Sequence, residues 1–339
     1  MAGVVVLGGA GAAIAAQWRS VSVPLPAGAS GASLNAVACA RMSLCWAVGT
    51  AKIRHRGHRA LAERWNGQRW RVAPVPSPAR LGGAGLLGVA CSGPSACMAV
   101  GTTGAGQGGT LAERWNGRAW SLVATPSPSG SSLSAISCAT ASDCLAVGNS
   151  GAFQDGIFNY SLNLAWNGTV WTREPYHETG WLNGVSCPSA IFCAAVGDIA
   201  DSAGTSTVTE QWNGATISDV PSGDGNSSEL QGVSCVSTTF CMAVGTGAFE
   251  SNIVSLWNGK RWRFAGSPGG LDAVWCLRSN LCVAAGGGER VARWNGRRWV
   301  IQPGPGAGYT GLNGVTCTGP SACLAVGSDR SQMLALRYG

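Results

Sequence analysis

Short runs in which apolar and polar residues alternate return along this chain seven times in the same order. Each unit opens as L-x-[GA]-[VI]-x-C, passes through five turn-like residues and resumes as C-x-A-[VA]-G; the first copy runs from Leu34 to Gly49 and the last from Leu312 to Gly327. Alternation of this kind predicts half-buried strands, so each opening reads as a hairpin. Further on comes W-N-G-x-x-W, from Trp65 to Trp70, Trp115 to Trp120, Trp166 to Trp171, Trp257 to Trp262 and Trp294 to Trp299. The fourth unit keeps Trp212, Asn213 and Gly214 but has Ile217 at the last position. Asn-Gly between two β-favouring runs predicts a second hairpin with a type I′ turn. Each unit is therefore expected to hold four antiparallel strands, the last ended by Pro-rich pieces such as Pro74, Pro76 and Pro78.

The steps between successive first cysteines are 52, 47, 49, 48, 41 and 41 residues, a period that suits propeller blades and exceeds one coil of a β-helix. Small residues crowd the first two strands while tryptophan sits on the last two, the gradient of a wedge; a linear solenoid would show none. Residues 17–26 match the fourth strand of a unit, with Trp18 where Trp70 stands in the first copy. The chain stops after a third strand, with Tyr338 in the place of Trp65. The fold expected is all-β, a single seven-bladed propeller over 17–339, closed by the N-terminal strand pairing with the C-terminal strand of blade seven.

All fourteen cysteines fall into C-x5-C pairs: Cys39 and Cys45, Cys91 and Cys97, Cys138 and Cys144, Cys187 and Cys193, Cys235 and Cys241, Cys276 and Cys282, Cys317 and Cys323. An even, regular set reads as disulfides in an exported chain and as zinc ligands in a cytosolic one; with three histidines in all, zinc is the weaker reading. Residues 1–16 are apolar and close on small residues, as a signal peptide or a short anchor does; they contain no charged n-region, as for a signal peptide whose true start lies upstream. Export to the cell surface or medium follows. A composition of 45% hydrophobic and 12% charged residues excludes a disordered chain.

The tandem C-x5-C, A-V-G and W-N-G-x-x-W units resemble those of secreted actinobacterial propeller-like repeat proteins over essentially residues 17–339. The hairpin is similar to those of the Photorhabdus-lectin and fungal fucose-lectin propellers, and more loosely to the Asp-box turn of sialidases. Trp65 stands where the Asp-box aspartate would be. The resemblance implies a propeller and a lectin-like role.

Candidate chemistry lies in the loops that vary. Lys52 to Arg59 gathers Arg54, His55, Arg56 and His58, a set able to grip a phosphate, a sulfate or an acidic glycan, or simply a solvated basic loop. The third unit offers Phe153, Asp155, Phe158 and Tyr160, and the connection after it Tyr176, His177, Glu178 and Trp181, aromatics beside polar groups as a sugar or peptide site needs. Tryptophans at repeated positions are expected to pack blade on blade. Trp46, Trp181 and Trp275 fall outside them; Trp275 is expected in the core and the others are freer to meet a ligand. Residues 138–255 carry eleven acidic residues against one basic, and the rest 22 basic against five, so an acidic and a basic half are expected.

No catalytic motif stands out. Glu178 with Asp155 or Asp198 are candidate glycosidase carboxyls, and Asp198 with Asp201, or Asp224 with Glu229, a weak calcium reading. No cofactor is expected, and scattered arginines without a recognition motif argue against nucleic acid. The expectation is an exported monomeric binding propeller for glycan or cell-wall polymer. A glycoside hydrolase and a protein-interaction or structural scaffold stand as alternatives, and membrane contact would come only through an N-terminal anchor.

Overall fold

The computed structural model describes residues 16–76, 83–104, 108–151, 160–175, 180–201, 204–222, 228–247, 252–266, 268–288, 290–304, 310–330 and 332–339. These form seven four-stranded antiparallel sheets in a ring, and no helix occurs among them. The apolar run over 1–15 lies outside the described residues. Blade 1 shows the plan: β2 (Ala29–Arg41), β3 (Leu44–Ile53), β4 (Gly57–Trp65) and β5 (Trp70–Ala73). Blade 7 is closed as the sequence predicts. Strand β1 (Trp18–Ser20) pairs with β28 (Gln332–Tyr338), Trp18 opposite Tyr338, so the two ends of the chain share one sheet. Trp18 is buried against Val283 and Val291 of blade 6, which makes this strand part of an interface between blades as well.

The innermost strands are β2, β6 (Ala84–Gly93), β10 (Ser131–Cys138), β14 (Trp181–Ser189), β18 (Ser228–Ser237), β22 (Ala273–Arg278) and β26 (Thr310–Gly319). They approach so closely that only Gly or Ala fits after the variable residue of L-x-[GA]. A Cβ on Gly88 would lie 2.9 Å from Ala135 Cα of the next blade. The variable residue itself sits on a β-bulge, as between Leu34 and Ala36. The bulge pushes the carbonyl before the leucine against the glycine of A-V-G, where a Cβ on Gly197 would fall 1.8 Å from Trp181 O. That repeated glycine is thus a steric requirement of the bulge.

All seven expected disulfides form within their blades, across the first hairpin, with Cα atoms 4.0 to 4.1 Å apart. The first tryptophan of W-N-G-x-x-W holds the five-residue turn between the cysteines. Trp65 Nε1 donates to Met42 O at 3.0 Å, and Trp115, Trp166, Trp212, Trp257 and Trp294 repeat the bond at the equivalent residue of their turns. The second tryptophan packs on the first at 5.4 to 5.9 Å between centroids. Repeated tryptophans are therefore packing groups, as expected.

The hairpin between them differs from the expected type I′ turn. Trp65 pairs with Trp70, leaving a four-residue connection in which Asn66 Oδ1 accepts from the backbone N–H of Gln68 and Arg69. Only the glycine has positive φ, 95° at Gly67. Asparagine serves here as a side-chain cap for the turn. Two single tryptophans also depart from expectation. Trp46 is wholly buried, wedged 4.7 Å from Trp115 and 5.1 Å from Trp120 of blade 2, so it meets no ligand. Trp275 is 38% exposed rather than in the core; its position, the residue before the first cysteine, is the one from which Ser137, Ser186 and Ser234 reach the next blade.

Candidate functional site at the mouth of the axial channel

The seven innermost strands enclose an axial channel with a volume of about 480 Å³. Its lining is set by the bulged residue of each blade: Asn35, Leu87, Ser134, Asn183, Gln231, Asp272 and Asn313. Three asparagines are spent on the ring itself. Asn35 Nδ2 donates to Leu86 O at 2.8 Å, Asn183 to Leu230 O at 3.1 Å and Asn313 to Leu34 O at 2.9 Å, each reaching the following blade. Asp272 has no such bond among the described contacts, and burial raises its carboxyl pKa.

One residue before the leucine, at the mouth, the ring reads Ser33, Gly85, Ser132, Trp181, Glu229, Gly270 and Gly311. Five of these residues are small, and blades 4 and 5 alone carry large side chains at this position. Trp181 is 44% exposed. Its cross-strand neighbour on β15 (Phe192–Asp201) is Asp198, whose Oδ1 accepts from Asn183 Nδ2 at 2.8 Å. Glu229 Oε2 accepts from Gln231 Nε2 at 3.3 Å. Burial raises the Asp198 pKa, the bond from Asn183 pulls it down, and the nearby charge of Glu229 raises it again. Two carboxylates, two amides and one indole face thus share the mouth of blades 4 and 5. Such a set suits a ligand with a hydrogen-bonding, positively charged group beside an apolar surface.

Of the residues singled out from the sequence, Trp181 and Asp198 belong to this mouth. Glu229 joins them; the sequence paired it with Asp224, which lies outside the described residues, and paired Asp198 with Asp201. No group of three metal-ligating side chains forms among the described residues. Tyr160 is half-buried at the start of β12 (Tyr160–Trp166). Phe153, Asp155, Phe158, Tyr176, His177 and Glu178 lie outside the described residues.

The basic residues form something other than a loop over the channel. β3 and β4 stay paired to Ile53 and Gly57, so Arg54, His55 and Arg56 are a three-residue turn on a tall hairpin, with His55 at φ 60°. His58 pairs with Lys52 below it, and all four side chains are exposed. Asn183, Gln231 and Asp272 were missed from sequence. Their signal was that the residue after the leucine varies in chemistry from blade to blade.

No protein-family model matches the chain, and no curated protein matches it. Solved structures match its fold. YCF48 bound to D1 peptide is 12% identical with a TM-score of 0.63, covering 95% of this chain and 94% of that one. The WD40 propeller domain of Doa1 is 11% identical with a TM-score of 0.64 over 96% and 97%. YCF48 from Cyanidioschyzon merolae is 16% identical with a TM-score of 0.61 over 95% and 98%. At these identities the likeness is one of fold, and the chain is a seven-bladed β-propeller with one disulfide in every blade.

Proposed function

We propose that this protein is a non-catalytic binding propeller of an oxidising, extracytoplasmic compartment, and that it takes a polypeptide segment bearing positive charge at the channel mouth of blades 4 and 5. The observation that carries the reading is the ring of small residues broken only by Trp181 and Glu229. An exposed indole beside a carboxylate offers cation–π and charge-assisted contacts to one Lys or Arg side chain. Seven disulfides support the compartment, since such bonds persist where thiols are not kept reduced. A similar propeller, YCF48, is bound to a peptide in its solved structure. Asp198 is 5% exposed and tied to Asn183, which suits an orienting role better than acid catalysis.

Glycan or cell-wall polymer is the second reading, favoured by the same exposed Trp181 face, on which a sugar ring stacks as readily as an aliphatic chain. Arrays of cationic and neutral peptides and of glycans, probed with the purified protein and Trp181→Ala, separate the two. Signal on cationic peptides that disappears in Trp181→Ala supports the first reading. Signal confined to glycans supports the second, and array signal unchanged by Trp181→Ala removes the mouth from both.

A further inference from the structure

A second site lies at the outer half of the interface between blades 3 and 4, away from the channel. At four interfaces the residue before the first aromatic of the W-N-G position is arginine, and its guanidinium lies over the aromatic ring of the following blade. Arg64 reaches Trp115, Arg114 reaches Trp166, Arg293 reaches Tyr338 and Arg337 reaches Trp65, at 5.9 to 6.0 Å. The other three blades have Ala165, Gln211 and Leu256 at that position. Leu256 packs into its interface core, whereas Ala165 leaves the slot in front of Trp212 unfilled. Blade 4 also has Ile217 in place of the second tryptophan, so Trp212 lacks its usual ring partner and is only half-buried.

The result is a cavity of about 280 Å³ lined by Ala165 and Trp212 and flanked by Asp143 and Glu174. Among the described residues no basic side chain lines it. Asp143 is held in place by hydroxyls of Thr140 and Ser142. The cavity is thus the same aromatic slot that an internal arginine occupies elsewhere, with the arginine missing and two carboxyls at its walls.

We propose that this slot binds an arginine side chain presented by a partner polypeptide, its guanidinium over Trp212 and its charge facing Asp143 and Glu174. The partner reproduces in trans the contact that Arg64, Arg114, Arg293 and Arg337 make within the ring. The site is independent of the channel mouth. Its occupant is set by shape as well as charge, because a planar guanidinium stacks on an indole face while the carboxyls accept its edge N–H groups.

The test is a titration of the full chain, 15N-labelled at tryptophan, with N-acetyl-arginine amide, following the Trp212 indole N–H resonance. The expected result is a saturable shift at Trp212, about tenfold weaker with the uncharged N-acetyl-citrulline amide. Ala165→Arg should fill the slot from within and abolish the shift, while Trp181→Ala leaves it intact. Should Ala165→Arg fail to fold, Asp143→Asn with Glu174→Gln is expected to weaken binding by about fivefold to tenfold. Equal binding of the citrulline analogue, a shift that persists in a folded Ala165→Arg protein, unweakened binding in the double variant, or no shift at Trp212 in the wild type would each overturn the proposal.

Discussion

Two halves of one ring solve the same packing problem differently. Around blades 6, 7, 1, 2 and the near side of 3, each interface is clamped near the outer hairpins by an arginine lying on the next blade's aromatic ring. Across blades 3 to 6 the clamp moves to the axis, where Ser137, Ser186 and Ser234 accept the backbone N–H of Cys187, Cys235 and Cys276, each at 2.9 Å. Among the described residues the two devices do not overlap: four interfaces use one and three use the other. The blades without arginine clamps are also the acidic ones. They hold the unfilled aromatic slot and the two large side chains at the channel mouth.

The largest effect expected on this comparison comes from breaking the arginine-clamped half at its seam. Deleting residues 17–26 removes β1 and with it Trp18 from the interface of blades 6 and 7. The protein should lose cooperative unfolding or aggregate; a truncated chain that melts like the intact one would contradict closure by strand pairing.

Next in size are single disulfides. Each closes a loop of about seven residues and should contribute about 2 kcal/mol. Removing Cys187–Cys193 is expected to cost more than removing Cys91–Cys97, because the bridge also holds in place the Cys187 N–H that donates to Ser137 Oγ. Denaturant melts of the two double Cys→Ala variants measure the difference, and equal losses would mean that the serine link is independent of the bridge.

Acidity distinguishes the halves too. Glu63 and Glu113, in blades 1 and 2, are buried without a hydrogen-bond partner, and burial pushes both carboxyls up to about 8. Their counterpart in blade 4, Glu210, accepts from Asn163 Nδ2 at 2.8 Å. Because the folded state holds the protons of Glu63 and Glu113 more tightly than the unfolded chain, stability should fall as pH rises from about 4.5 to about 8 and then level off. Glu63→Gln with Glu113→Gln should flatten that fall in melts taken across the range. A wild-type profile that rises over the same interval would show the carboxyls to be charged and paired.

The smallest effects separate the two clamps directly. Ser234→Ala should cost about 1 to 2 kcal/mol, since it leaves a buried N–H without a partner. Arg114→Ala should cost about 0.5 to 1 kcal/mol, the value of a partly exposed cation–π contact. The reverse order in chemical denaturation would mean that the outer clamp dominates.

What the sequence disclosed and what it withheld divide along the same line. Disulfide pairing, the four strands of a blade and the closing strand all follow from patterns local to one unit or from counting units. Contacts between blades join residues about fifty positions apart, as Asn163 to Glu210 or Arg64 to Trp115, and a repeat aligned on itself gives no sign of which face meets which neighbour. Trp46 therefore read as a free aromatic although it fills the first interface, and Trp275 read as core although it stands open. Trp181 was legible because it falls outside the repeated tryptophan positions. Asp198 and Glu229 were legible as carboxylates, but their meeting with each other was not, because it depends on the contact of blade 4 with blade 5.

The most direct test of where this propeller binds is calorimetric titration of its strongest array ligand into three proteins: wild type, Trp181→Ala, and Arg54→Ala with Arg56→Ala. A site at the acidic mouth predicts at least about a tenfold loss in Trp181→Ala and no change in the arm variant. The opposite pattern, full affinity without Trp181 and loss without the two arginines, would move the site to the basic hairpin of blade 1.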